Sequence, residues 1–135
     1  MKRISGTVLV CLTLAACGGP DPSPQATEPS AIVSMTDCGT FDLPQGDRLP
    51  EPAARCLVDA VQAGHPARLK VTRPTTEGDP IPVTYTAGAG GRVEVITDSR
   101  QDGFGARVIT RQTCTEPTAA PELDFAQCSD PTPIK

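Results

Sequence analysis

The stretch Glu51-Pro-Ala-Ala-Arg-Cys-Leu-Val-Asp-Ala-Val-Gln-Ala-Gly64-His-Pro66-Ala-Arg-Leu-Lys-Val-Thr72 changes its apolar period once, and that change decides the fold. Before Gly64, residues Ala53, Cys56, Leu57, Ala60 and Val61 recur at i, i+3, i+4, i+7 and i+8, the single apolar stripe of an amphipathic helix. Glu51, Arg55 and Asp59 step along the opposite, solvated face at intervals of four and can pair. Pro50 and Pro52 suit a first helical turn, where a missing N–H costs nothing, and Gly64 followed by Pro66 supplies the stop. After Pro66 the period becomes two. Ala67, Leu69 and Val71 face one way and Arg68, Lys70 and Thr72 the other, as in a half-buried strand.

Further strands follow. Ile81, Val83, Tyr85 and Ala87 repeat the alternation, as do Val93 and Val95, and a fourth run from Phe104 to Gln112 holds Phe104, Ala106 and Val108 in register. The separators are Pro74 to Pro80, Gly88 to Gly91 and Asp98 to Gly103, each rich in turn-forming residues. The expected architecture is α+β: one N-terminal helix packed on a roughly four-stranded antiparallel meander. Ile96 and Ile109 break the alternation and point away from the helix; either they form a small exposed patch or, the favoured expectation, the segment holding Leu123 and Phe125 folds back over them. Residues 129–135, with Pro131 and Pro133, are expected to form a frayed, disordered tail.

Four cysteines lie in this region: Cys38, Cys56, Cys114 and Cys128. An even number in a small exported domain reads as two disulfides, and three pairings are open. The local pairs Cys38–Cys56 and Cys114–Cys128 are favoured because each closes a short loop; closing one of about 15 residues contributes on the order of 3 kcal/mol. Zinc is the alternative use of such thiols. The sequence lacks a Cys-x-x-Cys pair and has His65 as its one histidine, so neither a metal nor a cofactor is expected.

The export argument rests on the first residues. Lys2 and Arg3 precede a short apolar run from Ile4 to Ala16, the layout of a secretory signal and too short to span a bilayer as a helix. Leu14-Ala15-Ala16-Cys17 resembles the lipobox of bacterial lipoproteins, in which the cysteine thiol takes a diacylglyceryl group before cleavage. The expected organisation is a signal peptide over 1–16, a lipidated Cys17 with a proline-rich linker over 17–34, and one domain over 35–128. Two or more acyl chains hold a protein on a membrane almost permanently. The expected location is the extracytoplasmic face of the cell membrane. In a two-membrane host, Gly18 in place of an Asp after Cys17 implies the outer membrane.

Composition bears on partners. Aromatic residues make up 3 % of the chain and its formal net charge is −4, which argues against stacking on bases or neutralising phosphates; no nucleic-acid partner is expected. Catalytic signals are weak. Ser99 and His65 are separated by a whole strand, and Asp98 to Gly103 lacks the spaced acids and closing glutamate of a calcium loop. Thr75, Thr76, Glu77 and Asp79 sit in an acidic turn that is the candidate partner loop.

The order Asp37-Cys38-Gly39, Cys56-Leu57, Thr75-Thr76-Glu77-Gly78-Asp79-Pro80-Ile81, Val93-Glu94-Val95, Asp102-Gly103-Phe104-Gly105 and Cys114 resembles small uncharacterised lipoproteins of high-GC Gram-positive bacteria. The likeness covers about 35 to 115, with the Thr-Thr-Glu-Gly-Asp-Pro loop its most distinctive part. It implies membrane anchoring and the extent of the domain, and implies no activity. The functional expectation is a membrane-anchored extracytoplasmic lipoprotein acting as a non-enzymatic binding module for an envelope protein or other ligand. The alternatives are a protease-inhibitor-like domain presenting the 74–80 loop and an enzyme with an unrecognised site.

Overall fold

The computed structural model describes residues 34–135. Cys17, the signal segment and nearly all of the linker lie outside the described residues. The element order is β1 (Thr36–Asp42), α1 (Glu51–Ala63), β2 (Ala67–Pro74), β3 (Pro80–Ala87), β4 (Arg92–Asp98), β5 (Ile109–Thr118), β6 (Asp124–Cys128) and β7 (Thr132–Ile134).

Helix α1 forms where the period of 3.6 requires it. Pro50 stands at its N-cap, and Gly64, at φ 68°, ends it in the left-handed conformation. The Gly64 and His65 N–H groups donate to the carbonyls of Val61 and Ala60 at 3.1 and 2.9 Å, a Schellman closure that occupies two otherwise orphaned acceptors. Ala53, Leu57, Ala60 and Val61 are buried in the core, Ala54 and Val58 are also buried, and Glu51 pairs with Arg55 on the wet side.

The sheet has seven strands rather than four. Its path runs β1-β2-β3-β4-β5-β6, with β7 paired to β5, and β1 lies parallel to β2 while the other pairs are antiparallel. It is therefore a mixed sheet, and α1 is the crossover of a β-α-β unit, the connection that a parallel pair demands. Strand β1 has no clean alternation because its register shifts between Asp37 and Thr40, where Gly39 adopts φ 106°. The Asp37 carboxylate accepts from the Gly39 N–H at 2.9 Å within this bulge.

The core lies between the sheet and α1. Ala67, Ala87, Val93 and Cys114 stand in register across four strands, each at most 1 % exposed, with Leu69, Val71 and Val95 beside them. Two disulfides brace this layer: Cys38–Cys56 ties β1 to α1, and Cys114–Cys128 joins directly opposed residues of β5 and β6.

Three local expectations change. Residues 104–108 are loop, and β5 starts only at Ile109, because side chains of Ser99 and Asp102 take the backbone groups that a strand ladder would use. Leu123 and Phe125 pack against the core cluster rather than over Ile96 and Ile109; the Phe125 ring stacks on Tyr85, centroids 6.0 Å apart. Tyr85 stands in register with Leu69 and Val95, the face opposite Ile96, and Arg48 lies 3.4 Å from Glu122 in an exposed ion pair. Glu116, at φ 54°, follows Thr115, the last residue of β5 paired with β4, and beyond it β5 pairs with β6 alone. Finally, the tail does not simply fray: Ile134 and Pro133 pair with Ile109 and Thr110, prolines being tolerated on an edge strand.

Candidate functional site

The antiparallel order brings two connections to one end of the sheet: the turn 75–79 between β2 and β3, and the loop 99–108 between β4 and β5. Both are tightly organised by their own sequence.

In the turn, the Thr75 N–H donates to the Asp79 carbonyl at 2.8 Å and the Gly78 N–H to the Thr75 carbonyl at 3.1 Å. The Thr75 hydroxyl accepts from the Asp79 N–H at 3.1 Å. Gly78, at φ 96°, supplies the left-handed step that closes it. Thr75 and Asp79 are half-buried and serve the turn, while Thr76 and Glu77 are exposed at its apex.

The longer loop is held the same way. Ser99 Oγ lies 2.6 and 2.9 Å from the carbonyls of Ala106 and Val108. The Asp102 carboxylate accepts from the N–H groups of Phe104 and Gly105 at 2.9 and 2.7 Å. Arg100 grips Asp98 through Nε and Nη2 at 2.9 and 2.7 Å, and these hydrogen bonds hold the Asp98 carboxyl below the usual carboxylate range. The two connections meet where Asp79 Oδ2 accepts from the Gly103 N–H at 2.7 Å. Phe104, on the next residue, is 82 % exposed. A groove of about 380 Å³ lies at the same end, lined by Leu43, Pro44, Pro74 and Pro80 with Asp42 and Thr72.

Of the residues singled out from sequence, Thr75, Thr76, Glu77 and Asp79 are thus gathered in one turn, with Asp79 spent on joining two loops. Phe104 was missed as a surface residue because alternation placed it inside a strand; the flanking Gly103 and Gly105 are the signal against that placement. Ser99 and His65 stand at opposite ends of the sheet, one beyond β4 and the other just before β2, so they form no nucleophile–base pair. Among the described residues, no group of three or more His, Cys, Asp or Glu side chains is placed to hold a metal, and no helix is long and apolar enough to cross a membrane.

A domain of unknown function, DUF4362, is found at residues 55–119. The DUF4362 span starts inside α1 and runs through the end of β5. It includes both connections of the two-loop end but neither β1 nor β6. Each disulfide therefore joins a cysteine inside the span, Cys56 or Cys114, to one outside it, Cys38 or Cys128. The family has no known function and assigns no chemistry to the site. No curated protein and no solved structure matches the chain.

Proposed function

We propose that this protein is an extracytoplasmic lipoprotein, anchored through a diacylglyceryl group on Cys17, whose domain is a non-enzymatic binding module. The two-loop end is its contact surface, and the partner is a protein of the cell envelope. The observation that carries the binding reading is the exposure of Phe104 on a loop whose backbone is already tied by Ser99, Asp102 and Asp79. An exposed aromatic ring on a pre-ordered loop loses little conformational entropy when a partner covers it, the property expected of a binding anchor. The lipobox-like Leu14-Ala15-Ala16-Cys17 supports the anchoring half.

The protease-inhibitor alternative has less support. A loop that enters a protease cleft must run extended, whereas 75–79 is closed on itself by the Thr75–Asp79 and Gly78–Thr75 backbone hydrogen bonds.

Two measurements test the proposal. The intact mass of the mature chain extracted from membranes should show loss of residues 1–16, acylation at Cys17 and oxidation of the other four thiols; an unmodified Cys17 would refute the anchor. Recovery of bound proteins from solubilised envelope should be lost in Phe104→Ala and reduced in Glu77→Ala, with thermal midpoints unchanged. Full recovery by Phe104→Ala would move the contact surface elsewhere.

A further inference from the structure

A cavity of about 470 Å³ opens at the end of the sheet opposite the 75–79 turn, and three elements contribute to it. Val61 and Gln62 come from the last turn of α1, and Gly91 from the turn between β3 and β4. Glu116, Pro117 and Thr118 of β5 and Ala126 of β6 complete it. The walls divide by chemistry. Val61, Pro117 and Ala126 present carbon, while Glu116 is the one charged residue of the lining and Gln62 and Thr118 add neutral acceptor oxygens.

The lining favours positive charge for two reasons. Glu116 takes part in none of the ion pairs among the described residues. The C-terminus of α1 brings partial negative charge, and no basic residue stands in its last turn to offset it. His65, just beyond the helix, is not part of the lining. Arg92 stands in register with Thr115, so alternation puts it on the sheet face opposite the buried Val93 and Cys114, away from α1.

The cavity is held in shape from both sides. The Gly64 and His65 N–H groups close the end of α1, and Cys114–Cys128 joins β5 to β6 two residues before Glu116. Glu116 itself is the one non-glycine residue at positive φ among the described residues, a strained position of the kind that recurs where proteins clamp ligands. A primary ammonium carries three donors and no acceptor, and a lysine-type chain lays its methylenes on carbon while its head keeps to polar groups. That is the complement of these walls. We infer that this cavity binds a primary alkylammonium group. The ammonium donates to the Glu116 carboxylate and to the oxygens of Thr118 and Gln62, and its methylene stem lies against Val61, Pro117 and Ala126. This is a second site, separate from the two-loop end and independent of how the chain is anchored.

The test uses the isotope-labelled full chain and two probes, n-pentylammonium and a lysine blocked at both termini, with pentanol and pentanoate as controls. Both amines should shift the amide resonances of Gln62, Gly91 and Ala126 saturably, while those of Gly103 and Phe104 stay in place. Glu116→Gln keeps the size of the side chain and should weaken binding about tenfold. Ala126→Leu fills the cavity with hydrocarbon, leaves the carboxylate, and should weaken binding too. Tighter binding of the blocked lysine identifies the ligand as a lysine side chain of a peptide or protein; tighter binding of pentylammonium identifies a free amine. Binding of pentanol equal to that of the amines would overturn the inference. So would full affinity in Glu116→Gln or Ala126→Leu, or the absence of a saturable shift at the three amides.

Discussion

The carboxylate of Asp79 accepts a hydrogen bond from the backbone N–H of Gly103, 24 residues further along the chain. That one contact makes a single surface out of two connections that belong to different hairpins. Removing it should loosen the loop without unfolding the sheet. Asp79→Ala is expected to cost about 1 kcal/mol, a fall of about 4–8 °C in thermal midpoint for a domain of this size. Amide exchange at Gly103 should accelerate more than at Val93, and Asp79→Asn, which keeps an acceptor oxygen, should recover part of the protection. Equal exchange in wild type and Asp79→Ala would show that the loop holds itself.

Gly39 is a position where no other residue fits. Its φ is 106°, and a Cβ built there would lie 2.8 Å from Cε2 of Phe41. Gly39→Ala should therefore destabilise the domain by about 1–3 kcal/mol through backbone strain alone. Phe41 also packs against the core, so Phe41→Ala is destabilising in its own right; measured in that background, Gly39→Ala should cost less than in the wild type but more than nothing, because the collision is gone and the strain remains.

Leu57 is fully buried between α1 and the sheet. Leu57→Ala is expected to cost about 2–5 kcal/mol in urea unfolding, with the value set by how far the site collapses. A loss below about half a kcal/mol would mean that the helix does not pack where the structure puts it.

Cys38–Cys56 clips the parallel edge strand to the helix across a separation of 18 residues. Opening it by Cys56→Ser should lower stability by about 2–5 kcal/mol. The loss should appear as faster amide exchange in β1 before β3 or β4 is affected, because β1 has only one neighbouring strand.

Tyr85 is the chain's one tyrosine, so phenolate absorbance reads it alone. Burial raises its pKa above the usual value, and the Arg73 cation offsets this only in part. A folded-state pKa above the unfolded one, near 10, means the neutral phenol's stabilising contribution is complete below about pH 10 and is lost as pH rises through the folded value. Native protein should titrate later than urea-unfolded protein, and Tyr85→Phe should lessen the alkaline loss of stability.

The amphipathic period over Ala53–Val61, the alternation of Ala67–Val71 and Ile81–Ala87, and the breaker at Gly64 are local properties, and they made α1 and β2 to β4 legible from the chain alone. The even set of cysteines and the turn at 75–79 were legible for the same reason: each depends on residues near one another in sequence. Tertiary structure alone decided that Thr36–Asp42 is a strand, since its weak pattern is rescued by pairing with β2 and by the bulge at Gly39. It also decided that Phe104 faces water, because hydrogen bonds from the Ser99 hydroxyl and to the Asp102 and Asp79 carboxylates outcompete the strand its alternation suggested. Periodicity reports which face a residue could bury. Whether a neighbour arrives to cover that face depends on contacts many residues apart, and those exist only once the sheet has formed.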